Sequence, residues 1–248
     1  MSEAWSLEAL RAQVRSRQPD TSKWLVQILN SLGRSRDIFT YHKCLARDAF
    51  IIFSPENDPH GITFAQRIFG CDDEDGVLHE ASLVSEANLI ACIAVTRNSY
   101  DSFGQLLNGL VVPVPLKGNF YIQDVEAALP TGELKDRLSD ALTSEWFGYT
   151  HAFMNMVEHH QLVVHNASIS FVDENRGGKV EGFTHKKKDY PAYWVKEALK
   201  GTVWLQNSLQ ACGVLLNHMY LGESPATRAR LSSTNELYNQ KTKNPVNR

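Results

Sequence analysis

Apolar residues recur three and four positions apart along most of this chain and alternate only briefly, so helices are the predicted elements. "SLEALRAQVRSR" (residues 6–17) and "TSKWLVQILNSLG" (21–33) read as two opening helices. In the second, Thr21 can cap, Trp24, Leu25, Ile28, Leu29 and Leu32 recur at helical spacing, and Gly33 ends the run. "DIFTYHKCLARDAFIIF" (37–53) is a third apolar segment, either helical throughout or closing as an extended "FIIF", with helix preferred. Residues 54–77 combine prolines, glycines and acids and read as a long loop.

From about His79 to Val112 the pattern is helical, and "SLVSEANLIACIAV" is apolar nearly all round. The face begun by Leu83, Ala87, Ile90 and Ala94 continues through Arg97, Asp101, Gln105 and Asn108, so a stripe expected to face the core turns polar midway. Arg97 and Asp101 are four residues apart, and the simplest account is a structural ion pair. "VVPVPLKGN" breaks the helix, two short helices follow, and Ser144 caps the helix that runs into "FMNMVEHHQLVVHN" (153–166). Alternation at Ile169 and Phe171, then at Val180 and Phe183, brackets "ENRGGK" and predicts a hairpin near 167–185. Asp189 and Pro191 are expected to open the last long helix. Trp194, Ala198, Gly201, Leu205, Leu209, Cys212, Leu216 and Met219 form its stripe, and Gly222 and Pro225 end it. The predicted class is all-α: a helical bundle with two long core helices and a small inserted β-hairpin. Its divisions are an N-terminal helical region with an acidic loop (1–78), the bundle (79–220) and a polar tail (221–248).

Composition alters this picture little. A formal charge of −3 and a pI near 6.3 argue against a generally basic nucleic-acid scaffold, while leaving room for a local basic patch. Cys44, Cys71, Cys92 and Cys212 are widely spaced with no C-x-x-C pair, and read as buried thiols of a reducing compartment. The first residues carry no basic start followed by an apolar run, and no segment is uninterruptedly apolar for a bilayer's thickness, so a cytoplasmic protein without membrane contact is expected. "CDDEDG" (71–76) fails as a calcium loop, because the EF-hand register supplies Cys71 at its first position and Ser82 at its twelfth.

The candidate chemistry gathers on the helix after Ser144. Trp146, Tyr149, Phe153, Met156, Val157 and His160 share one side, with His160 expected as a core-edge histidine donating a structural hydrogen bond. His151, Asn155, Glu158 and His159 lie on the other. His151, Asn155 and His159 form an i, i+4, i+8 column open to three readings. One is a solvated helix face. The second is a metal site, disfavoured because the middle residue is Asn and no Glu-x-x-His recurs on a second helix. The third is metal-independent acid–base chemistry, in which a histidine moves a proton and an amide orients the substrate.

"SYDSFGQLLNGL" in one long helix, then "EWFGYTHAFMNMVEHHQLV", a hairpin and a closing long helix resemble the HEPN superfamily of helical bundles, particularly a branch of uncharacterised bacterial proteins. The resemblance spans roughly residues 79–220. It implies either a metal-independent ribonuclease of a defence or toxin–antitoxin system, its site completed by homodimerisation, or a member that has lost activity and serves as a nucleotide-, RNA- or protein-binding scaffold. No cofactor or metal is implied. Laid on the superfamily's Arg-Asn-x-x-x-His motif, Asn155 and His159 match and Met154 stands where the arginine belongs. The resemblance implies that His159 acts as general base or acid at a ribose 2′-hydroxyl or leaving oxygen and that Asn155 positions phosphate. Arg97, Asp101, His151 and Glu158 would support them or bind phosphate. Arg176, Lys179, Lys186, Lys187 and Lys188 around the hairpin are then candidates for an RNA backbone, with a solvated turn as the alternative.

Overall fold

The computed structural model describes residues 5–18, 20, 22–70 and 75–221 of the chain. Thr21 as a cap, Cys71 with its acidic neighbours, Gly222, Pro225 and the tail beyond Leu221 lie outside the described residues. The described chain is mostly helical with a small antiparallel sheet. Its described residues pack as two compact units, one drawn from within 1–31, 103–140 and 207–248, the other from within 32–102 and 141–206.

In the first unit, helix α1 (Leu7–Arg17) starts where the Ser6 hydroxyl accepts from the Ala9 amide at 3.3 Å. Its buried Leu10 and Val14 belong to a core with Leu25, Leu29, Phe103, Leu107, Val125 and Leu138. Helix α5 (Ile122–Ala128) and helix α6 (Glu133–Leu142) are the two short helices expected after the break. Lys135 ties them, its ammonium donating to the carbonyls of Ala127 at 3.0 Å and Leu129 at 3.3 Å, the acceptors a helix leaves open at its C-terminus. The Asn108 side chain bonds both backbone groups of Leu116, at 2.8 and 3.1 Å, which pins the Pro-rich break.

Helix α2 (Ser22–Asp48) runs straight through Gly33, correcting the stop expected there. A mid-helix glycine costs about 1 kcal/mol against alanine. Burial of Leu29, Leu32, Phe39 and Ala46 on either side outweighs that, at roughly 1.5–3 kcal/mol for each large side chain. The helical alternative for residues 37–48 therefore holds, and "IIF" (51–53) closes as a single 3-10 turn. The expected loop after it carries a short helix, α3 (Ile62–Ile68), which opens on Gly61 at φ 69°.

Helix α4 (Val77–Leu110) and helix α7 (Glu145–His159) form the second unit's centre with the first turns of helix α8 (Val195–Leu221). Its core gathers Phe39, Leu89, Cys92, Ile93, Tyr149, Phe153, Met154, Val180 and Leu199. The face of α4 differs from expectation. Leu83 is 57% exposed and Ala87, Asp101 and Gln105 are exposed, while Ala81, Ser85, Leu89, Cys92, Ile93, Thr96 and Tyr100 are buried. A helix apolar all round cannot announce its inner face, and here small side chains with hydroxyls returned to the backbone take the packed side. Ser99, for one, donates to the Val95 carbonyl at 2.7 Å. By length and composition alone α4 is long and apolar enough to cross a bilayer, with Glu86 and Asn88 among the polar residues that interrupt its apolar run.

The sheet is larger than one hairpin. Strand β1 (His165–Ser170) pairs antiparallel with β2 (Asn175–Val180), which pairs in turn with β5 (Tyr193–Trp194), and β3 (Phe183–His185) pairs separately with β4 (Lys188–Tyr190). The first turn is Phe171–Glu174, so most of "ENRGGK" is strand, with Ala167 opposite Gly178 and Ser168 opposite Gly177. Gly178 is there for close approach: a Cβ would come within 2.6 Å of both the Ser85 hydroxyl and His165 Nε2. Because β4 and β5 occupy 188–194, α8 starts at Val195 rather than at Asp189 or Pro191. The Glu197 carboxylate accepts from the Trp194 amide at 3.0 Å to cap it. The expected α8 stripe is buried from Ala198 through Leu216, while Met219 is 42% exposed.

Cys92 and Cys212 are buried, and that burial pushes both thiols up to about 12. Cys44 is half-buried.

Candidate functional site

All the chemistry argued for α7 lies in the second unit. The Ser144 hydroxyl accepts from the Phe147 amide at 3.2 Å and sets the start of α7. Tyr149, Phe153 and Met154 then face inward, and His151, Asn155, Glu158 and His159 face α4 or solvent. Met154 is 5% exposed, a core side chain that cannot reach the polar face.

The link between the two helices is an ion pair. Arg97 of α4 donates through Nη1 to Glu158 Oε2 at 2.8 Å, and His159 Nε2 stands 3.8 Å from that same oxygen. One carboxylate oxygen therefore faces an arginine and a histidine. Exposure grades along the chain of contacts, from 21% at the Arg97 side chain through 41% at Glu158 to 65% at His159. The anchored end is the arginine and the accessible end is the imidazole.

One turn away the charges act on each other. The Asp101 carboxyl is pushed up from its ordinary value, chiefly by desolvation and also by Glu158, while Arg97 and His151 oppose the rise. Burial holds the His151 imidazole below its ordinary value, reinforced by Arg97 and Lys186 and opposed by Asp101. His151 is thus a neutral imidazole at pH 7, a proton acceptor stacked on Phe147 with ring centroids 6.4 Å apart. Both shifts come chiefly from burial on neighbouring helices, perturbation of the kind that clusters at functional sites and also at structural charge networks.

Asn155 uses its amide N–H locally, donating to the His151 carbonyl at 2.8 Å, which leaves its oxygen as the group to face a ligand. Arg97 pairs with Glu158 rather than serving Asp101 alone, as the spacing along α4 had suggested. His160 is not the core-edge histidine expected. It is exposed, its backbone amide closes α7 on the Met156 carbonyl at 2.9 Å, and its ring lies 6.3 Å from that of His185.

The basic cluster divides. Arg176 turns inward, its Nη1 3.8 Å from Asp58 Oδ2 with side chains 15% and 7% exposed, so it braces the sheet and is not a surface contact for RNA. Lys179 lies over the Trp194 ring at 5.7 Å. Lys186, Lys187 and Lys188 alone form a shared exposed group, at the β3–β4 turn.

Two features escaped the sequence. His185 lies against the end of α7, signalled only by its place beside a lysine run. His165 meets Ser85 at 3.1 Å (Nε2 to Oγ), inside the unit, and burial holds it at about 4. Its one trace in sequence is the Gly177-Gly178 pair, whose missing side chains make room. Among the described residues no group of three or more histidines, cysteines and carboxylates is placed to hold a metal ion. A pocket between the α5–α6 turn and Leu215, His218 and Met219 belongs to the first unit and contains none of these residues.

Compared with models of known protein families, with curated proteins and with solved structures, the chain matches none of them.

Proposed function

We propose that this chain is a HEPN-like protein, its bundle core built on the two long helices α4 and α8, that acts in the cytoplasm as a metal-independent endoribonuclease of a defence or toxin–antitoxin type, as a homodimer. The reading is supported by one observation above the rest: Arg97 and His159 meet on the same oxygen of Glu158. The superfamily's missing arginine is then replaced from α4. His159, the most exposed of the three, takes the proton of a ribose 2′-hydroxyl or returns one to the leaving oxygen. Glu158 orients the imidazole and stabilises it when charged, and Arg97 exchanges its carboxylate for a phosphate as substrate enters. The Asn155 oxygen and the neutral His151 position the ribose, and Asp101 balances Arg97.

A second reading has its own observation. With Met154 buried and the Asn155 amide donated to its own helix, the chain is a non-catalytic HEPN-like scaffold that binds RNA, a nucleotide or a protein partner. Incubation of purified protein with defined RNA oligonucleotides in EDTA separates the two. The ribonuclease reading expects cleavage that His159→Ala abolishes and Arg97→Ala reduces by about 100-fold or more, the usual scale for losing a charged donor at a developing anion. Binding without cleavage gives the scaffold reading, and neither binding nor cleavage removes RNA from both.

A further inference from the structure

The β3–β4 hairpin carries more order at its base and more strain at its tip than a solvated turn needs. Its base is fixed by three cross-strand pairs. Phe183 stacks on Tyr190 with centroids 5.0 Å apart and planes at 13°, the Thr184 hydroxyl donates to the Asp189 carboxylate at 2.6 Å, and His185 faces Lys188. That base is bonded to α7 by aromatic contact, with Tyr149 5.5 Å from Phe183 and 6.1 Å from Tyr190, and Phe153 6.1 Å from Phe183. Two residues remain to close the turn, Lys186 at φ 48° and Lys187 at φ 65°. Positive φ at both positions is the type I′ geometry, for which Asn-Gly is the favoured pair because β-carbons crowd the backbone there. A lysine pair in its place keeps a backbone conformation that side chains resist.

The tip also points its charge to a definite place. Lys188 Nζ lies 3.8 Å from the position a Cβ on Gly148 of α7 would take, and it sits 5.1 Å over the Tyr190 ring. Lys186 is near enough to His151 to oppose its protonation, and His185 touches His160. Among the described residues no salt bridge engages Lys186, Lys187 or Lys188. Elsewhere at this site charge is already matched: Arg97 is held by Glu158, His151 is neutral, and Asp101 adds a carboxyl. Among the described residues of this site, the cations without a salt bridge are those of the hairpin.

We propose that the Lys186-Lys187 turn is a strained, preorganised phosphate clamp, which holds the backbone of a single-stranded RNA across the His151–His159 face of α7. The clamp deepens the ribonuclease reading and rests on it. Strain at the tip persists because the aromatic base holds the turn, and it keeps the backbone of both lysines in one conformation from which their ammonium groups reach phosphate. These two are positioning residues. They touch phosphate away from the scissile bond and move no proton.

The experiment compares wild type with Lys186→Asn/Lys187→Gly, which relaxes the turn and removes both charges, and with Lys186→Gln/Lys187→Gln, which removes the charges and leaves the strain. The probe is a fluorescein-labelled RNA oligonucleotide, its binding read by anisotropy over a salt series, with Tm measured beside it. The Asn-Gly variant is expected to melt about 4 °C higher and to bind at least about 10-fold more weakly, with the salt slope reduced by about 1.4 for two phosphate contacts on a single strand. The double-Gln variant is expected to lose binding equally and melt as wild type does. His159→Ala should bind RNA as wild type does and fail to cleave it. Unchanged affinity and salt slope in both lysine variants, while wild type still binds and cleaves, overturns the clamp alone. A Tm that fails to rise in the Asn-Gly variant overturns the strain. Absence of RNA binding by wild type overturns the ribonuclease reading, and the clamp with it.

Discussion

Acid should destabilise this fold through one half-buried histidine. His165 opens β1, its Nε2 3.1 Å from the fully buried Ser85 hydroxyl and its Nδ1 enclosed with no hydrogen-bond partner. Burial penalises the charged imidazole and holds the folded pKa near 4 against an unperturbed 6.5. The unfolded chain accepts the proton first. The stability tied to a neutral His165 is therefore complete above about pH 6.5 and is lost as pH falls towards 4. At about 1.4 kcal/mol per pH unit the full loss is about 3.5 kcal/mol, and about 2.5 kcal/mol of it is already gone at pH 4.5. The assay is urea unfolding followed by circular dichroism from pH 7.5 to 4.5, on wild type and on His165→Gln, whose amide can still meet the Ser85 hydroxyl and does not titrate. Carboxylates titrate alike in both proteins and cancel in the difference. The variant's disadvantage at pH 7.5 should shrink or reverse by about 2.5 kcal/mol at pH 4.5. A difference constant across that range refutes the assignment, and acid sensitivity would then belong to other groups.

Two further outcomes follow from named contacts. Asp58→Ala removes a buried carboxylate that accepts from the Phe64 amide at 3.0 Å at the start of α3 and faces Arg176 at 3.8 Å. It should cost about 3 kcal/mol, the low end for leaving a buried charge unpartnered because 3.8 Å is long for the pair, and should lower Tm by about 6–12 °C in a thermal melt. A loss under about 1 kcal/mol would return Arg176 to the surface set. On the ribonuclease reading Glu158→Gln should split the kinetic constants. It frees the Arg97 charge and so lowers KM for RNA, and it removes the carboxylate charge 3.8 Å from His159, lowering kcat by about 10-fold. Equal movement of both constants in steady-state cleavage would sink that division of labour.

Much of the helical framework was legible because it is periodic over many turns. The spans of α4 and α7, the cap at Ser144 and the buried stripe of α8 from Ala198 to Leu216 all follow from 3.6-residue spacing or from a capping side chain. Failures fall where period carries no information. In α4 apolar residues surround the first half, so Leu83 and Ser85 compete for the core on size and packing, which spacing does not encode. Strands β3, β4 and β5 are two or three residues long, too short to alternate, and stand by pairing, β3 with β4, as Phe183 does with Tyr190, and β5 with β2. At the site, residues sharing one helix face were legible together. The Arg97–Glu158 bond joins residues 61 apart in sequence. Arg176 and Lys186 look alike in composition, and only the fold half-buries one and exposes the other.

The methionine in the motif becomes intelligible from the same packing. Met154 lies in the cluster that includes Phe153, Tyr149 and Leu199. An arginine on this backbone at 154 would carry a guanidinium into that apolar cluster with no carboxylate to meet it, a burial that costs several kcal/mol. On the proposed reading a phosphate-binding cation comes from an element that already faces the polar side of α7, and two do. Arg97 approaches from α4 with its charge held by Glu158, and the lysine turn approaches from the hairpin with its charge unmatched. The two are not equivalent. A cation held by a carboxylate is released only when a competing anion arrives in register, which favours selectivity at the reacting phosphate. A cation already unmatched attracts any polyanion at longer range, which favours capture. On the proposed reading, the loss of one arginine from the motif divides its task between a capturing hairpin and a discriminating ion pair. Glu158 thereby becomes the residue on which discrimination depends.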